Sequence, residues 1–521
     1  MLGVEPRRYG DYCSKSYLRE KNEEAYNHVF KVHYPDEERG AAREKRYEKG
    51  YRTARENLDD LVDKDSFVEY GQLAIAAQKS RRELEELRTE TAADGIITGF
   101  GKINSEILDD KKALSAIIIN DYSVLAGTQG YYHHKKLDRI CETAEKQNLP
   151  VVMYTEGGGG RPGDTDVHVQ FAGLQIPSFS NWAKLKGKSL RIAVNNGYCF
   201  AGNAALFGTA DFCISTKNSW LGMAGPAMIE GGGLGKVNPK DIGPAEEQEK
   251  LGVIDYLAED EADATSFAKK LLSYFQGSLN KWETKDQSIL RNLIPENRRM
   301  AYSVRDIIET IADKDSFLEV RKIYGRSVIT GFMRLEGKPV ALIANDCQHL
   351  GGAVDATSAE KAGQFISICN EHNLPIVSLA DTPGFMVGVD SEREGAVRKM
   401  GSLFNAGANI SVPLVAIFLR KGYGLGAMAM VGGSFYMPIF TASWPTGEFG
   451  GMGLEGAVKL GYKKELEAVE DANEREELFN KLVQKMYDAG KALEAATQLE
   501  IDAVIDPADT RSIIIKALET G

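Results

Sequence analysis

Over the first ninety or so residues, charged and polar positions dominate and no β-branched run occurs. That pattern predicts surface helices leading into a folded unit, an N-terminal helical region spanning residues 1–90. From about Gly95 the pattern changes to short apolar runs, such as Ala116-Ile117-Ile118-Ile119 and Pro150-Val151-Val152-Met153, interleaved with Gly-rich turns and stretches of helical periodicity. Runs of this length bounded by glycine predict buried strands joined by helices, the α/β pattern.

The same pattern occurs twice. Asp63-Lys64-Asp65-Ser66-Phe67-Val68-Glu69 returns as Asp313-Lys314-Asp315-Ser316-Phe317-Leu318-Glu319, and Ile97-Thr98-Gly99-Phe100 returns as Ile329-Thr330-Gly331-Phe332. Asn148-Leu149-Pro150-Val151-Val152 matches Asn373-Leu374-Pro375-Ile376-Val377, Gly197-Tyr198 matches Gly422-Tyr423, and Ser219-Trp220 matches Ser443-Trp444, these last three at an offset of about 225 residues. Matches in one order with a slowly drifting offset describe a duplicated domain. The expected fold is therefore α/β with two tandem homologous domains, residues 91–290 and 291–521. The seam is expected between Gln276 and Met300, where apolar periodicity lapses.

In each repeat a strand runs into a glycine turn: Tyr154-Thr155-Glu156-Gly157-Gly158-Gly159-Gly160-Arg161 in the first, Leu379-Ala380-Asp381-Thr382-Pro383-Gly384-Phe385 in the second. A further strand in each leads into small residues that open a helix, Gly197 to Ala205 and Gly422 to Met430. Glycine admits a ligand close to the backbone, and the N–H groups of a helix start point outward unpaired. Such fixed donors can stabilise an oxyanion, worth about 2.7–4 kcal/mol each in a protease comparison. The blander reading is that these glycines allow close strand–helix packing, but their symmetric placement in a duplicated chain weighs toward chemistry.

Composition narrows the choice. At 521 residues, with 43% hydrophobic and 26% charged positions, the chain has enough core for at least two soluble domains. A net charge of −12 argues against nucleic acid as a partner. No run approaches the roughly 20 apolar residues that cross a bilayer, and Met1 to Glu20 carries charges where a signal peptide is apolar, so no membrane insertion and a cytoplasmic location are expected. The cysteines, Cys13, Cys141, Cys199, Cys213, Cys347 and Cys369, form no C-x-x-C pair and read as small buried hydrophobes. With no H-E-x-x-H, and with His133–His134 as readily a solvated helix start as a ligand pair, no metal is expected. Neither a P-loop nor a G-x-G-x-x-G after the first strand occurs, which disfavours nucleotide hydrolysis and hydride transfer.

Several motifs together resemble a known family. Ser443-Trp444-Pro445-Thr446-Gly447-Glu448, followed by Gly451-Met452-Gly453-Leu454-Glu455-Gly456-Ala457-Val458, is similar to the signature of the carboxyltransferase β subunits of propionyl-CoA and acetyl-CoA carboxylases. Asp381 to Gly388, Arg420-Lys421-Gly422-Tyr423-Gly424 and Thr53-Ala54-Arg55-Glu56 resemble further motifs of that family, and the resemblance runs from about Gly50 to Val504. It implies tandem crotonase-like domains, the first taking an acyl-CoA and the second biotin, with active sites at a dimer interface in a larger homo-oligomer, a hexamer by analogy. Carried over by motif, Ala201 and Gly202 would hold the thioester oxygen as it becomes an enolate, and Gly426 and Ala427 the biotin carbonyl. Gly158, Gly159 and Arg161 would line the CoA side, and Gly384 and Phe385 would contact substrate in the matching second turn.

The resemblance also implies partners. Ala427-Met428-Ala429-Met430 lacks the lysine of a biotinylation site and no ATP-grasp-sized segment is present. Biotin would arrive on a separate biotin carboxyl carrier protein and be charged by a separate biotin carboxylase. Two departures bear on substrate: Leu425 looks inserted in the second hole, and Ala429 stands where propionyl-type enzymes carry an aspartate. The Gly231-Gly232-Gly233 run after Pro226 resembles carboxylases that accept longer or mixed acyl groups. Three competing readings remain: a biotin-dependent decarboxylase α subunit running the transfer backwards, a crotonase-type hydratase or hydrolase using carboxylates such as Glu156, Asp381 or Glu230, and a non-catalytic scaffold.

Overall fold

The structure is a computed structural model that describes residues 40–167 and 174–521. Its contacts divide the chain into two compact units. One holds residues up to Ser105, 113–245 and 257–269, and the other 106–112, 246–256 and 270–521. The division near Lys269 falls inside the helix Glu261–Gln276, upstream of the segment where periodicity lapses. That helix buries Ala264, Phe267, Ala268, Leu271 and Leu272 at helical spacing, so it continues unbroken across the division.

Of the N-terminal region, residues 1–39 lie outside the described residues. The remainder forms helices Gly40–Tyr47, Ala54–Leu61 and Leu84–Glu90 together with strand β1 (Val68–Glu69), all within the first unit. Thr53 caps the second of these helices in a reciprocal capping box with Glu56.

The first sheet has seven strands. After β1 come β2 (Ile96–Lys102), β3 (Leu114–Asn120), β4 (Val151–Tyr154) and β5 (Arg191–Asn195). β6 (Tyr198–Phe200) and β8 (Trp220–Gly222) pair separately, while β7 (Phe212–Thr216) and β9 (Tyr256–Ala258) complete the sheet in the order β1-β2-β3-β4-β5-β7-β9. The second sheet contains β10 (Leu318–Val320), β11 (Val328–Leu335), β12 (Lys338–Asn345), β13 (Ile376–Thr382), β14 (Leu414–Tyr423), β15 (Phe440–Ser443) and β17 (Ala503–Val504) in that order, with β16 (Glu448–Gly450) beside β14. In each, the first three strands are antiparallel and the central ones parallel. β3 is buried from Ser115 through Asn120, as a parallel-sheet strand covered on both faces must be.

The duplication extends to the backbone angles. Leu125 and Leu350 have φ of 49° and 50°, Asn148 and Asn373 of 52° and 57°, and Asp65 and Asp315 of 59° and 60°. Positive φ is uncommon outside glycine. Its recurrence at matched positions is an observation of backbone geometry, separate from the residue matches. Of the cysteines, Cys141, Cys199, Cys213, Cys347 and Cys369 are buried and free, and Cys13 lies outside the described residues. Among the described residues, no helix is long and apolar enough to cross a membrane.

Candidate functional site

β4 ends at Tyr154 and the chain enters the first glycine turn, whose amides are mostly committed. Gly157 N–H donates to Tyr198 O at 2.7 Å, Gly158 N–H to Ala126 O at 3.1 Å, and Gly159 N–H to Asn203 Oδ1 at 3.0 Å. Gly159 has φ +86°, and a Cβ there would lie 2.7 Å from the Ala201 Cβ, so only glycine fits. Ala201, at φ 51°, is itself in the left-handed region and donates its N–H to Gly222 O at 2.9 Å. Gly160 N–H and Gly202 N–H have no protein partner among the described residues. Of the positions expected from sequence, Gly202 therefore presents a free donor. Ala201, Gly158 and Gly159 instead fix the shape of the turn.

Arg161 holds this turn too. Its guanidinium pairs with Asp94 and donates to Thr128 O at 2.8 Å, with the side chain 3% exposed. These bonds tie the turn to the segment at Asp94, while Arg161 also lines the cavity at this turn.

The second turn follows β13. Val354 N–H donates to Gly384 O at 3.0 Å and Met386 N–H to Val354 O at 2.9 Å, which leaves the Phe385 N–H between them without a partner among the described residues. A Cβ on Gly426 would lie 2.4 Å from the Gly384 carbonyl carbon and 2.6 Å from Phe385 N. Gly384, Phe385 and Gly426 are thus brought together, with Ala427 buried beside Gly426 on the helix Gly424–Met430. Leu425, which looked inserted, is 61% exposed on that helix and leaves the contact of Gly426 with the turn undisturbed.

The two turns are copies. The Gly159–Ala201 approach recurs as Gly384–Gly426, and the bridge of Gln129 to Gly160 recurs as Val354 to Phe385. Glu156 and Asp381 also occupy matched places. Glu156 is buried with Arg46 Nη1 at 2.8 Å and Glu261 close to the same guanidinium at 3.7 Å. Burial, outweighing the Arg46 charge, pushes its carboxyl up to about 7. Asp381 accepts from Tyr302 Oη at 2.8 Å, Arg420 Nη2 at 3.0 Å and Lys421 N at 3.0 Å. Both carboxylates are anchors for the strand ends. Glu230, on the short helix Pro226–Gly231, has Lys236 at 3.6 Å and no other ion-pair partner among the described residues.

The histidine pair is not a solvated helix start. His133 is fully buried and His134 is 9% exposed, because the helix Tyr131–Gln147 packs this edge inward. His134 Nδ1 meets Ser178 Oγ at 2.9 Å, and burial lowers its pKa to about 4. His134, Gln129, Gly160, Arg161, Ile176 and Met228 line a cavity of about 1190 Å3 that opens at the first turn. Sequence reasoning missed Arg46, Asn203, Tyr302 and Gln129. For Gln129 a signal existed, since the offset of about 225 sets it against Val354, a polar residue against an apolar one.

Paired glycine turns at the ends of parallel strands, repeated in two α/β halves, define the crotonase-like class. Within it the chain belongs to the carboxyl transferase domain family, whose model matches residues 45–520, and it is an enzyme. A model of the FAD dependent oxidoreductase central domain matches residues 1–47 only. The methylmalonyl-CoA carboxyltransferase 12S subunit of Propionibacterium freudenreichii is 31% identical, over 91% of this chain and 90% of that protein. The propionyl-CoA carboxylase beta chain of Saccharopolyspora erythraea is 30% identical, over 91% and 88%. Among solved structures, the transcarboxylase 12S hexamer superposes with a TM-score of 0.80 at 30% identity, over 92% of this chain and 91% of that one. A single-chain, multi-domain long-chain acyl-CoA carboxylase superposes with 0.89 at 50% identity, over 97% of this chain, which spans 49% of that longer polypeptide.

Proposed function

We propose that this chain is the carboxyltransferase component of a biotin-dependent acyl-CoA carboxylase, holding the acyl-CoA thioester at the first turn and biotin at the second. The observation that carries this is the free amides at the two turns: those of Gly160 and Gly202 at the first, and that of Phe385, packed against Gly426, at the second. Free N–H groups at such a turn suit an oxygen that gains charge, and neither turn needs a side-chain base. Biotin, brought by a separate carrier protein and charged by a separate biotin carboxylase, would supply the carboxyl group and take up the α-proton. The chain's own residues orient the two oxygens, Ala201 and Gly159 by backbone shape and Gly202, Gly160, Phe385, Gly426 and Ala427 by donation. No metal takes part in this reading, and the setting is the cytoplasm.

The first turn opens into a cavity lined by apolar Ile176 and Met228. Together with the 50% identity to a long-chain acyl-CoA carboxylase, this supports an acyl group longer than propionyl. The runner-up is the reverse reaction, supported by 29% identity to the methylmalonyl-CoA decarboxylase subunit alpha of Veillonella parvula.

The test is carboxyl transfer from a panel of carboxylated acyl-CoAs of increasing chain length to free biocytin, using the purified chain and a Gly426→Ala variant. Transfer by the wild type, lost in Gly426→Ala while acyl-CoA binding persists, supports the assignment of biotin to the second turn. Acyl-CoA binding without transfer to biocytin for any chain length sinks the carboxyltransferase reading.

A further inference from the structure

Gln129 is 4% exposed and its main chain is pinned on both sides of Gly160: its N–H donates to Gly159 O at 2.7 Å, and its carbonyl accepts from Arg161 N–H at 2.9 Å. The side chain then reaches toward Gly202, with Oε1 2.3 Å from the place a Cβ on that glycine would occupy. The end of the side chain therefore lies by Gly202, while the main chain of the same residue brackets Gly160, the other free amide of the first turn. Its Nε2 has no hydrogen-bond partner among the described residues, although the residue lines the large cavity. Burying an amide donor unpaired is costly unless something in the site receives it.

The duplication supplies an internal control. At the matched position the second turn carries Val354, with the same bridge to its turn and no side-chain donor. An apolar residue therefore suffices to build the turn, and the amide of Gln129 serves something the second turn lacks.

We propose that Gln129 Nε2 donates a hydrogen bond to the thioester carbonyl oxygen of the bound acyl-CoA, as a third donor beside Gly160 and Gly202. The bond tightens as that oxygen gains charge on loss of the α-proton. This rests on the assignment of the thioester to the first turn. It adds a catalytic residue that touches substrate, one that the sequence motifs did not mark.

The experiment compares wild type with Gln129→Leu and Gln129→Met in the full chain, measuring carboxyl transfer to biocytin and the affinity for two ligands. One ligand is an acyl-CoA thioester and the other its S-alkyl-CoA thioether, in which a methylene replaces the carbonyl. A donor to the carbonyl predicts that kcat falls, and that kcat/KM falls further, on the order of 10²-fold. Thioester affinity weakens, thioether affinity is unchanged and the melting temperature is retained. Methionine, close in volume to glutamine, keeps the test valid if leucine disturbs the turn. Unchanged turnover overturns the proposal. Equal weakening of thioester and thioether overturns it too, since that is the mark of a side chain that only shapes the cavity. A wild type that binds neither ligand is a different failure: it removes the assignment of the first turn, and this inference with it.

Discussion

At the scale of single residues, the site is held by buried charges whose partners come from far along the chain. Arg46 reaches Glu156, separated from it by 110 residues in sequence, and shares itself with Glu261. The folded pKa of Glu156, about 7, lies above its ordinary value of 4.5. Its contribution to stability is therefore fully present below about 4.5 and lost as pH rises through about 7. Replacing Arg46 with Met leaves two buried carboxylates facing each other without a cation. The expected destabilisation is about 3–5 kcal/mol. The gap to wild type should widen from about pH 6 to about pH 8 as Glu156 is forced to ionise. Denaturant unfolding at both pH values checks this. A gap that does not change with pH would mean that Glu156 does not change its protonation state over this range.

Single elements are placed by caps and by buried lysines as much as by apolar faces. Lys136 Nζ donates to Ala93 O at 2.9 Å, and its counterpart Lys361 Nζ donates to Arg321 O at 2.9 Å. Burial lowers these amines to about 8 and about 7 respectively. Each lysine closes carbonyls at the foot of the strand that follows, the kind of contact helical periodicity does not reveal. The helix Ala54–Leu61 depends on its cap: Thr53 Oγ1 accepts from Glu56 N at 3.2 Å while Glu56 Oε2 accepts from Thr53 N at 2.7 Å. Thr53→Ala should cost about 1 kcal/mol and leave the strands untouched. The check is a lowered thermal midpoint with unchanged near-ultraviolet circular dichroism. No change in midpoint would show that packing of Leu58 and Leu61 alone holds this helix.

At the scale of the whole molecule, large apolar side chains remain in solvent around the second turn: Val387 is 79% exposed, Val389 70%, Val397 80% and Leu425 61%. Clusters of this kind mark association surfaces. The family resemblance implies a hexamer and the transcarboxylase 12S neighbour assembles as one, so the 57.1 kDa chain is expected to run in light scattering as a particle about six times that mass. Val397→Glu should shift the population toward smaller species. A monomeric mass at micromolar concentration, with the fold intact, would remove the hexamer from the reading.

The sequence alone determined the α/β class, the duplication and the positions of both glycine turns, because these are written in short-range terms. Apolar runs of strand length, glycine-rich turns and residue matches that recur in one order need no knowledge of distant contacts. Gly202, Gly426, Gly384 and Phe385 were expected from motifs that resemble those of a known family, and their roles are proposed. Tertiary structure alone decided which amides are free. Ala201 and Gly159 have lost theirs to Gly222 and Asn203, and Arg161 is bonded to Asp94 and Thr128. It also decided that His133 is buried, that Glu156 answers to Arg46, and that the amide of Gln129 is buried without a partner among the described residues. A hydrogen-bond donor is free or taken according to what folds against it, and most of those partners lie dozens of residues away.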